Sequence, residues 1–274
     1  MLIDTHCHLN FQAFDTDWRE AAQRAFDAGV KGIVNVGSNY STSVRAVELA
    51  RQYLDRKLEK GKLFAAVGLH PIHVSALTKT SSRDRGDEKF DVNKYKKLAL
   101  DPTVVAIGET GLDLYHNPSM LKEQKEMFRQ LLSLAEEIEK PIIIHNRQAG
   151  AEILGVLRDA NKPRGVMHFF SEDWAYAQKL LELGYYISFT GATTLDNIGA
   201  TAVEVIKKAP LDRIMIETDA PYVVPRRYKD ANIKRNEPAY VAEVARRIAE
   251  IRGMDPAEVA RLTTQNAITL FGLA

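Results

Sequence analysis

Short apolar runs rich in Val, Ile and Phe recur eight times along the chain, and most are followed by a longer stretch with helical periodicity. Such runs are typical of buried strands in a parallel sheet, whereas apolar residues spaced three and four apart indicate amphipathic helices. Strands are predicted at 2–6, 32–36, 63–67, 104–108, 141–145, 165–168, 185–189 and 213–217. Helices are predicted at 18–28, 43–53, 121–139, 175–183 and 201–208.

The strict alternation of strand and helix predicts an α/β fold of the TIM (β/α)8 barrel type, in one domain spanning residues 1–274. The competing fold is an open, doubly wound sheet, which would bind its ligand in one crevice. Polar candidate residues follow six of the predicted strands, and a closed barrel explains that spread better. The sequence Asp255-Pro256-Ala257-Glu258 also predicts the start of a terminal helix, and the polar segment 78–89 predicts an exposed loop.

Composition then narrows the classes of function. The near balance of 37 basic and 36 acidic residues excludes the strongly basic surface of a protein that coats long nucleic acid. The single cysteine, Cys7, cannot form an internal disulfide, and the chain opens directly into a strand without an apolar leader. Together these features predict a cytoplasmic location. No apolar run approaches the roughly 20 residues that cross a bilayer, so we expect no membrane association.

Two histidines at the end of the first predicted strand, His6 and His8, are one residue apart and therefore point to the same side. Such a pair can ligate a metal, but a cation needs further ligands. Asp219 follows the last predicted strand, which neighbours the first in a closed barrel, and it can reach a metal held by both histidines. Glu109 follows the fourth strand, and its two oxygens could bridge a pair of cations.

His145 and His168 end the fifth and sixth predicted strands, where they would complete the site of a second cation. A single histidine in such a place is as often a hydrogen-bonded core residue as a ligand, but six candidate ligands at strand ends favour a two-metal centre. Two carboxylates also have predicted catalytic roles. Asp219 would orient the attacking water and accept its proton, and Glu109 would bridge the metals.

Four residues near the predicted strand ends are candidates for binding substrate: His70, Arg147, Tyr222 and Arg226. Arg147 lies two residues past His145, where its guanidinium could bind a phosphate, although a surface salt bridge is nearly as common. Tyr222 could stack on a base, with barrel packing as the alternative. Arg226 belongs to a basic loop that is solvated by default but would lie over the proposed site.

Three other polar residues receive no catalytic role. His73 and His116 are interpreted as ordinary loop residues, because neither ends a predicted strand. Glu217 points to the same side as Asp219 but one pleat deeper, and is interpreted as a buried supporting residue.

Seven stretches of sequence, in order along nearly the whole chain, match the motifs of a known family. They are 4–9 (DTHCHL), 68–71 (GLHP), 108–113 (GETGLD), 144–147 (IHNR), 188–191 (SFTG), 217–222 (ETDAPY) and 235–238 (RNEP). Together they resemble the TatD family of metal-dependent deoxyribonucleases. The resemblance implies a phosphodiesterase of the amidohydrolase superfamily on a TIM barrel. It also implies two sets of metal ligands: His6, His8, Glu109 and Asp219 for one ion, and Glu109, His145 and His168 for the other.

One stretch departs from the family pattern. After the sixth strand the family usually has His-Cys-Phe-Ser-Gly, whereas this chain has His168-Phe169-Phe170-Ser171-Glu172. The histidine is retained, but the missing glycine changes the loop that follows it.

The expected function is metal-dependent hydrolysis of DNA phosphodiester bonds by an exonuclease that acts on single-stranded ends, because a nearly neutral chain suits the gripping of a few nucleotides. Two divalent ions, Mg, Mn or Zn, are the expected cofactors, DNA is the expected partner, and no obligate protein partner is inferred. One alternative is a metal-dependent hydrolase of a small amide, ester or phosphoester. The other is a non-catalytic protein that binds metal or nucleic acid.

Overall fold

Eight parallel strands form one sheet, in which each strand pairs with the next along the chain. The computed structural model describes residues 1–54, 60–75, 83–84, 86–160 and 164–273. The strands are Leu2–Cys7 (β1), Val30–Val36 (β2), Lys62–Val67 (β3), Val104–Asp113 (β4), Ile142–Arg147 (β5), Gly165–Met167 (β6), Tyr186–Phe189 (β7) and Ile214–Ile216 (β8). Each of them overlaps a predicted strand.

Helices follow the strands and cover the outside of the sheet. They are Trp18–Asp27 (α1), Tyr40–Leu54 (α2), Val92–Ala99 (α3), Leu121–Glu137 (α4), Gly150–Asp159 (α5), Trp174–Glu182 (α6), Ala200–Lys208 (α7), Arg226–Asp230 (α8), Val241–Arg252 (α9) and Pro256–Phe271 (α10). The predicted start of the terminal helix is confirmed, because α10 begins at Pro256 and the Asp255 side chain accepts a hydrogen bond from Ala257 N.

The first and last strands meet and close the barrel. A parallel bridge joins Cys7 to Ala220, and His8 N donates to Ala220 O at 2.7 Å. Asp4 completes the seam with its buried carboxylate: Oδ1 accepts a hydrogen bond from Thr218 N at 2.9 Å, and Oδ2 accepts one from Thr218 Oγ1 at 2.5 Å. The sequential strand order and this seam confirm the TIM barrel and exclude the doubly wound sheet.

The barrel interior is filled by apolar side chains from all eight strands, which could meet only inside a closed sheet. One cluster contains Ile3, Val34, Val36, Ala66, Ala106, Ile143, Val166, Tyr186 and Met215. Ala267, Leu270 and Phe271 of α10 belong to the same cluster, so the terminal helix closes one end of the barrel. The polar strand ends are left at the other end.

Strand β4 is longer than predicted and runs for ten residues, to Asp113. Its outer half pairs with β5, with Gly111 opposite His145 and Asp113 opposite Arg147. Gly111 has φ 147°, and a Cβ at this position would overlap the carbonyl oxygen of His145. A glycine is therefore required for the two strands to approach each other beside a predicted metal ligand.

Part of the segment predicted as an exposed loop, 78–89, lies outside the described residues. Its described part is not fully exposed: Asp84 accepts a hydrogen bond from Gln12 N at 2.8 Å, and Glu88 accepts one from Tyr40 N at 2.8 Å. Among the described residues, no helix is both long and apolar enough to cross a membrane.

Candidate metal centre

The six predicted metal ligands converge at the carboxyl-terminal mouth of the barrel. They lie in β1 and just after it (His6, His8), in β4 (Glu109), in β5 (His145), just after β6 (His168) and just after β8 (Asp219). Five of them are buried and His145 is partly exposed.

The carboxylate of Glu109 lies between two groups of histidines. Its Oε2 is 3.4 Å from His6 Nε2 and 3.9 Å from His8 Nε2. Its Oε1 is 2.7 Å from His168 Nε2 and 2.9 Å from His145 Nδ1. One carboxylate therefore offers one oxygen to each group, which is the arrangement that a bridging ligand requires.

Hydrogen bonds on the far side of two imidazole rings determine which nitrogen faces the centre. His8 Nδ1 donates to Val36 O at 2.8 Å, and His168 Nδ1 donates to Glu217 Oε1 at 3.2 Å. The proton of each neutral ring is thereby held on Nδ1, and the Nε2 lone pair points towards the carboxylates. Glu217 is buried, as predicted, and also accepts a hydrogen bond from Phe169 N at 2.9 Å, so it orients His168.

The donor set fits divalent cations. His6 Nε2 and His8 Nε2 are only 3.2 Å apart, and Asp219 Oδ1 is 3.4 Å from His8 Nε2. When His8 is neutral, its proton is on Nδ1 and its Nε2 is an acceptor that faces other acceptors. A cation bound between these atoms would remove that repulsion. His145 Nδ1 and His168 Nε2, 3.3 Å apart beside Glu109, form a second set of this kind.

In the centre, neighbouring carboxylates and imidazoles shift each other's pKa values. Burial would raise the pKa of Glu109, but the charges of His168 and His70 and hydrogen bonds from His145 and His168 hold it well below the usual value. Burial likewise opposes a charged His168, yet the adjacent Glu109 and Glu217 raise its pKa well above 6.5. Burial and the charge of His168 lower the pKa of His6, and they outweigh the opposite effect of Glu109. The centre therefore holds ionised carboxylates beside nitrogens that attract either protons or metal ions.

His70, a predicted substrate-binding residue, lies beside the centre and caps a short 3₁₀ turn at Pro71–His73. Its Nδ1 accepts a hydrogen bond from Ile72 N at 3.1 Å, so the ring proton is on Nε2, 3.3 Å from Glu109 Oε1. Burial and the neighbouring His145 lower the pKa of His70 to about 4. The neutral ring thus presents an N–H group to the centre and acts as a donor in this form.

Asp113 supports the centre from the outer half of β4, a role that was not predicted. Its Oδ2 lies 3.4 Å from His145 Nε2 and 2.8 Å from His116 Nδ1. Burial raises the pKa of Asp113, but contacts with these two histidines and with His116 N outweigh burial and lower it. The sequence signal for this role is the spacing: Asp113 follows Glu109 by two strand pleats and therefore points to the same side of β4.

A cavity of about 1200 Å³ opens above the centre. Arg147 and Tyr222 line it, as expected of substrate-binding residues. His73 and His116, which are interpreted from sequence as ordinary loop residues, line it as well. Arg226 is not among its described lining residues.

Arg226 is held elsewhere by acidic neighbours. Its Nε donates to Asp230 at 2.7 Å within α8, and its guanidinium also pairs with Asp196. The structure does not bring Arg226 to the cavity, because these carboxylates compete for the same guanidinium.

The loop that departs from the family pattern is tied to the end of β5. Glu172 Oε1 accepts a hydrogen bond from Asn146 Nδ2 at 2.8 Å, and Asn146 Oδ1 accepts one from Ala149 N at 3.1 Å. Phe169 has φ 45° and lines the cavity. The glutamate thus supplies a side-chain tether at the position where the family usually has glycine.

Comparisons with known proteins agree with this geometry. The family model described as TatD related DNase matches residues 3–272. An uncharacterized metal-dependent hydrolase of Bacillus subtilis, YabD, is 38% identical over 99% of both chains. The 3'-5' ssDNA/RNA exonuclease TatD of Salmonella typhimurium is 35% identical over 98% of both chains. The crystal structure of YjjV, a TatD homologue from Escherichia coli K12, matches with a TM-score of 0.84 at 29% identity, covering 100% of this chain and 98% of that one.

Proposed function

Because this chain belongs to the family of TatD-related DNases and is a metal-dependent hydrolase, we propose that it hydrolyses phosphodiester bonds of DNA at a two-metal centre. The observation that carries the proposal is the position of Glu109, whose two carboxylate oxygens face different groups of histidines. Paired metal ions held by a shared carboxylate are suited to phosphoryl transfer, because they can stabilise both the attacking and the leaving oxygen.

The distances in the centre support two proposed ligand sets. His6, His8, Asp219 and Glu109 Oε2 would hold one cation, and His145, His168 and Glu109 Oε1 the other. When bound, Mg, Mn or Zn ions would lower the pKa of a water towards neutrality and neutralise charge on the phosphoryl group.

Asp219 is the proposed proton acceptor. Burial raises its pKa, but the hydrogen bond from His8 and the charges of His6 and His8 lower it below the usual value, so the carboxylate is ionised and able to orient a water. Its backbone has φ 55°, a conformation that Asp and Asn tolerate, and Asp219 N donates to His6 O at 2.9 Å across the barrel seam. His70 Nε2, which bears the ring proton, is placed to donate to a phosphate oxygen.

The proposed substrate is an end of single-stranded DNA. Tyr222 is 53% exposed at the cavity, and its ring lies 6.4 Å from those of His8 and Phe11, so a base could stack on it next to the centre. The near balance of charge argues against long duplex DNA. A relative named as a 3'-5' ssDNA/RNA exonuclease supports an exonuclease on single strands. The cytoplasmic location and the lack of an obligate protein partner stay predictions.

Hydrolysis of a small ester is the nearest alternative, and the experiment separates the two. End-labelled single-stranded and duplex DNA are incubated with Mg, Mn or Zn and with one of three proteins: the parent, Asp219→Asn or Asp159→Asn. Asp159→Asn is the control, because it changes an exposed carboxylate at the end of α5. We expect stepwise shortening of the single strand, about 100-fold slower with Asp219→Asn and unchanged with Asp159→Asn. Failure of the parent protein to cleave DNA with any metal, while it cleaves small esters, would refute the proposal.

A further inference from the structure

The paired strands β4 and β5 continue past the metal centre and carry side chains further out along the cavity. His145 is paired with Gly111, and Arg147, two residues later, is paired with Asp113. Residues two apart on a strand point to the same side and are separated by about 6.6 Å. The Arg147 side chain therefore points to the same side of the strand as His145. It lies farther out than His145 by roughly the spacing between nucleotides in an extended single strand.

The Arg147 guanidinium is held by stacking. It lies over the ring of Tyr115, 5.3 Å from the ring centroid, and Leu114 N donates to Arg147 O at 3.0 Å. Within the described ranges, no carboxylate is within ion-pair distance of this guanidinium. A stacked guanidinium without an acidic partner keeps its hydrogen-bond donors available to a planar pair of anionic oxygens.

A series of contacts connects this guanidinium to the metal centre. Asp113 Oδ2 contacts both His145 Nε2 and His116 Nδ1, and Asp113 Oδ1 accepts hydrogen bonds from Tyr115 N at 2.9 Å and His116 N at 2.7 Å. The His116 ring then packs edge-on against Tyr115, with centroids 4.7 Å apart. One buried carboxylate thus positions both the outer metal-facing histidine and the aromatic support of Arg147.

From this geometry we propose that Arg147 binds a second phosphate of the substrate, next to the phosphodiester that is hydrolysed. Tyr115 and His116 are the positioning residues for Arg147. This inference rests on the proposed function and deepens it. The substrate would be recognised as a strand with at least two phosphates, through anionic oxygens rather than through base edges. A second phosphate also distinguishes nucleic acid from small phosphoesters that fit the metal centre alone.

The test compares substrates that differ only in the second phosphate. The parent protein and its variants are assayed on thymidylyl-thymidine, on its 5′-phosphate and 3′-phosphate derivatives, and on bis(p-nitrophenyl) phosphate. We expect the parent protein to prefer one phosphorylated dinucleotide by about tenfold in kcat/KM, mainly through KM. Arg147→Gln should abolish that preference and lower kcat/KM on the preferred dinucleotide by more than it lowers the rate on bis(p-nitrophenyl) phosphate. Tyr115→Ala should lose part of the preference and Tyr115→Phe should keep it, since the phenyl ring still stacks.

The matched control is Arg158→Gln, which removes an exposed guanidinium at the end of α5. It should behave as the parent on every substrate. A preference that survives Arg147→Gln, or an equal loss on all substrates, would overturn the second phosphate site while leaving DNA hydrolysis in place. Cleavage of bis(p-nitrophenyl) phosphate but of no nucleotide by the parent would overturn the proposed function and the second phosphate site together.

Discussion

His168 and Glu109 face each other across the metal centre, with Nε2 of the imidazole 2.7 Å from Oε1 of the carboxylate. Glu217 contacts the opposite nitrogen of the same ring, so His168 lies between two buried acids. In the metal-free protein, a protonated His168 has one N–H group for each carboxylate and can donate a hydrogen bond to both. A cation bound by Nε2 must displace that proton, so metal binding, charge and stability are coupled at this ring.

The first prediction concerns pH and metal removal. The pKa of His168 is raised in the folded chain, so its stabilising contribution is fully present below pH 6.5 and is lost as pH rises through the folded value. We expect the Tm of chelated protein to fall as pH rises above 6.5, and His168→Gln to flatten that dependence. A cation at a concentration of 100 times its Kd should add about 2.7 kcal/mol to the free energy of unfolding. Its affinity should rise with pH, because binding displaces a proton. A chelated parent whose Tm rises steadily over this range would contradict the coupling. Calorimetry at each pH measures both quantities.

A second prediction tests the bridging role of Glu109. In Glu109→Gln an amide NH₂ replaces one oxygen, and this group donates hydrogen bonds and cannot ligate a cation. We expect about half the bound metal to be lost and kcat to fall by about 100-fold or more. Elemental analysis after dialysis and an assay of single-stranded DNA cleavage provide the measurements. Glu123→Gln, which changes an exposed residue in the first turn of α4, should match the parent. Full metal content in Glu109→Gln would show that this carboxylate does not bridge.

The third prediction concerns Glu217, which contacts His168 and not the substrate cavity. Glu217→Gln should weaken metal binding by about 10- to 100-fold, because the ring loses the anion that holds its proton on Nδ1. Activity should recover at high metal concentration, which distinguishes a positioning residue from a catalytic one. Titration calorimetry measures the affinity, with Glu204→Gln on the exposed side of α7 as control. An unchanged affinity with reduced kcat would rule out the positioning role.

The fourth prediction concerns Gly111, where β4 approaches β5. Gly111→Ala places a methyl group against the carbonyl oxygen of His145 in a backbone conformation that alanine rarely adopts. We expect a loss of about 2–3 kcal/mol in the free energy of unfolding, together with weaker metal binding. Denaturant unfolding of chelated protein isolates the first effect. Gly155→Ala is the control, because a Cβ there meets open space. Equal stability of the two variants would contradict the close approach of the strands.

A fifth prediction follows from the small number of phosphates that the cavity is proposed to bind. For single strands each phosphate contact contributes about −0.7 to the slope of log affinity against log salt concentration, so two contacts give about −1.4. We expect a slope of that size for binding of a short oligonucleotide, reduced by about 0.7 in Arg147→Gln. Fluorescence anisotropy at several salt concentrations provides the measurement. A slope several times steeper would indicate that a long strand is wrapped.

The fold and the convergence of the six candidate metal ligands could be predicted from sequence because both depend on strand periodicity. Apolar runs identify the strands, and His6 and His8 on one side of β1 identify the end that carries the chemistry. The length of β4 could not be predicted, because its outer half, GETGLD, contains two glycines and two acids and has no apolar pattern. The sequence pattern therefore does not identify Asp113 as part of the site.

Two other residues show why side-chain partners are harder to predict than strands. His116 lines the cavity because Asp113, three residues earlier, accepts from its ring and its backbone in a turn that has no strand or helix periodicity. Arg226 is removed from the cavity by Asp230, four residues later in the short helix α8. The sequence shows that the two residues are four positions apart, but this spacing brings their side chains together only when the segment forms the helix α8.

The barrel seam has a consequence for biosynthesis. Asp4 and Thr218 bond to each other although they are 214 positions apart. His6 and Asp219 lie on opposite sides of the same junction, so they cannot come together until nearly the whole polypeptide has emerged from the ribosome. A nascent or truncated chain that ends before Asp219 consequently lacks one of the six candidate ligands and the last strand of the barrel, and it cannot assemble the centre.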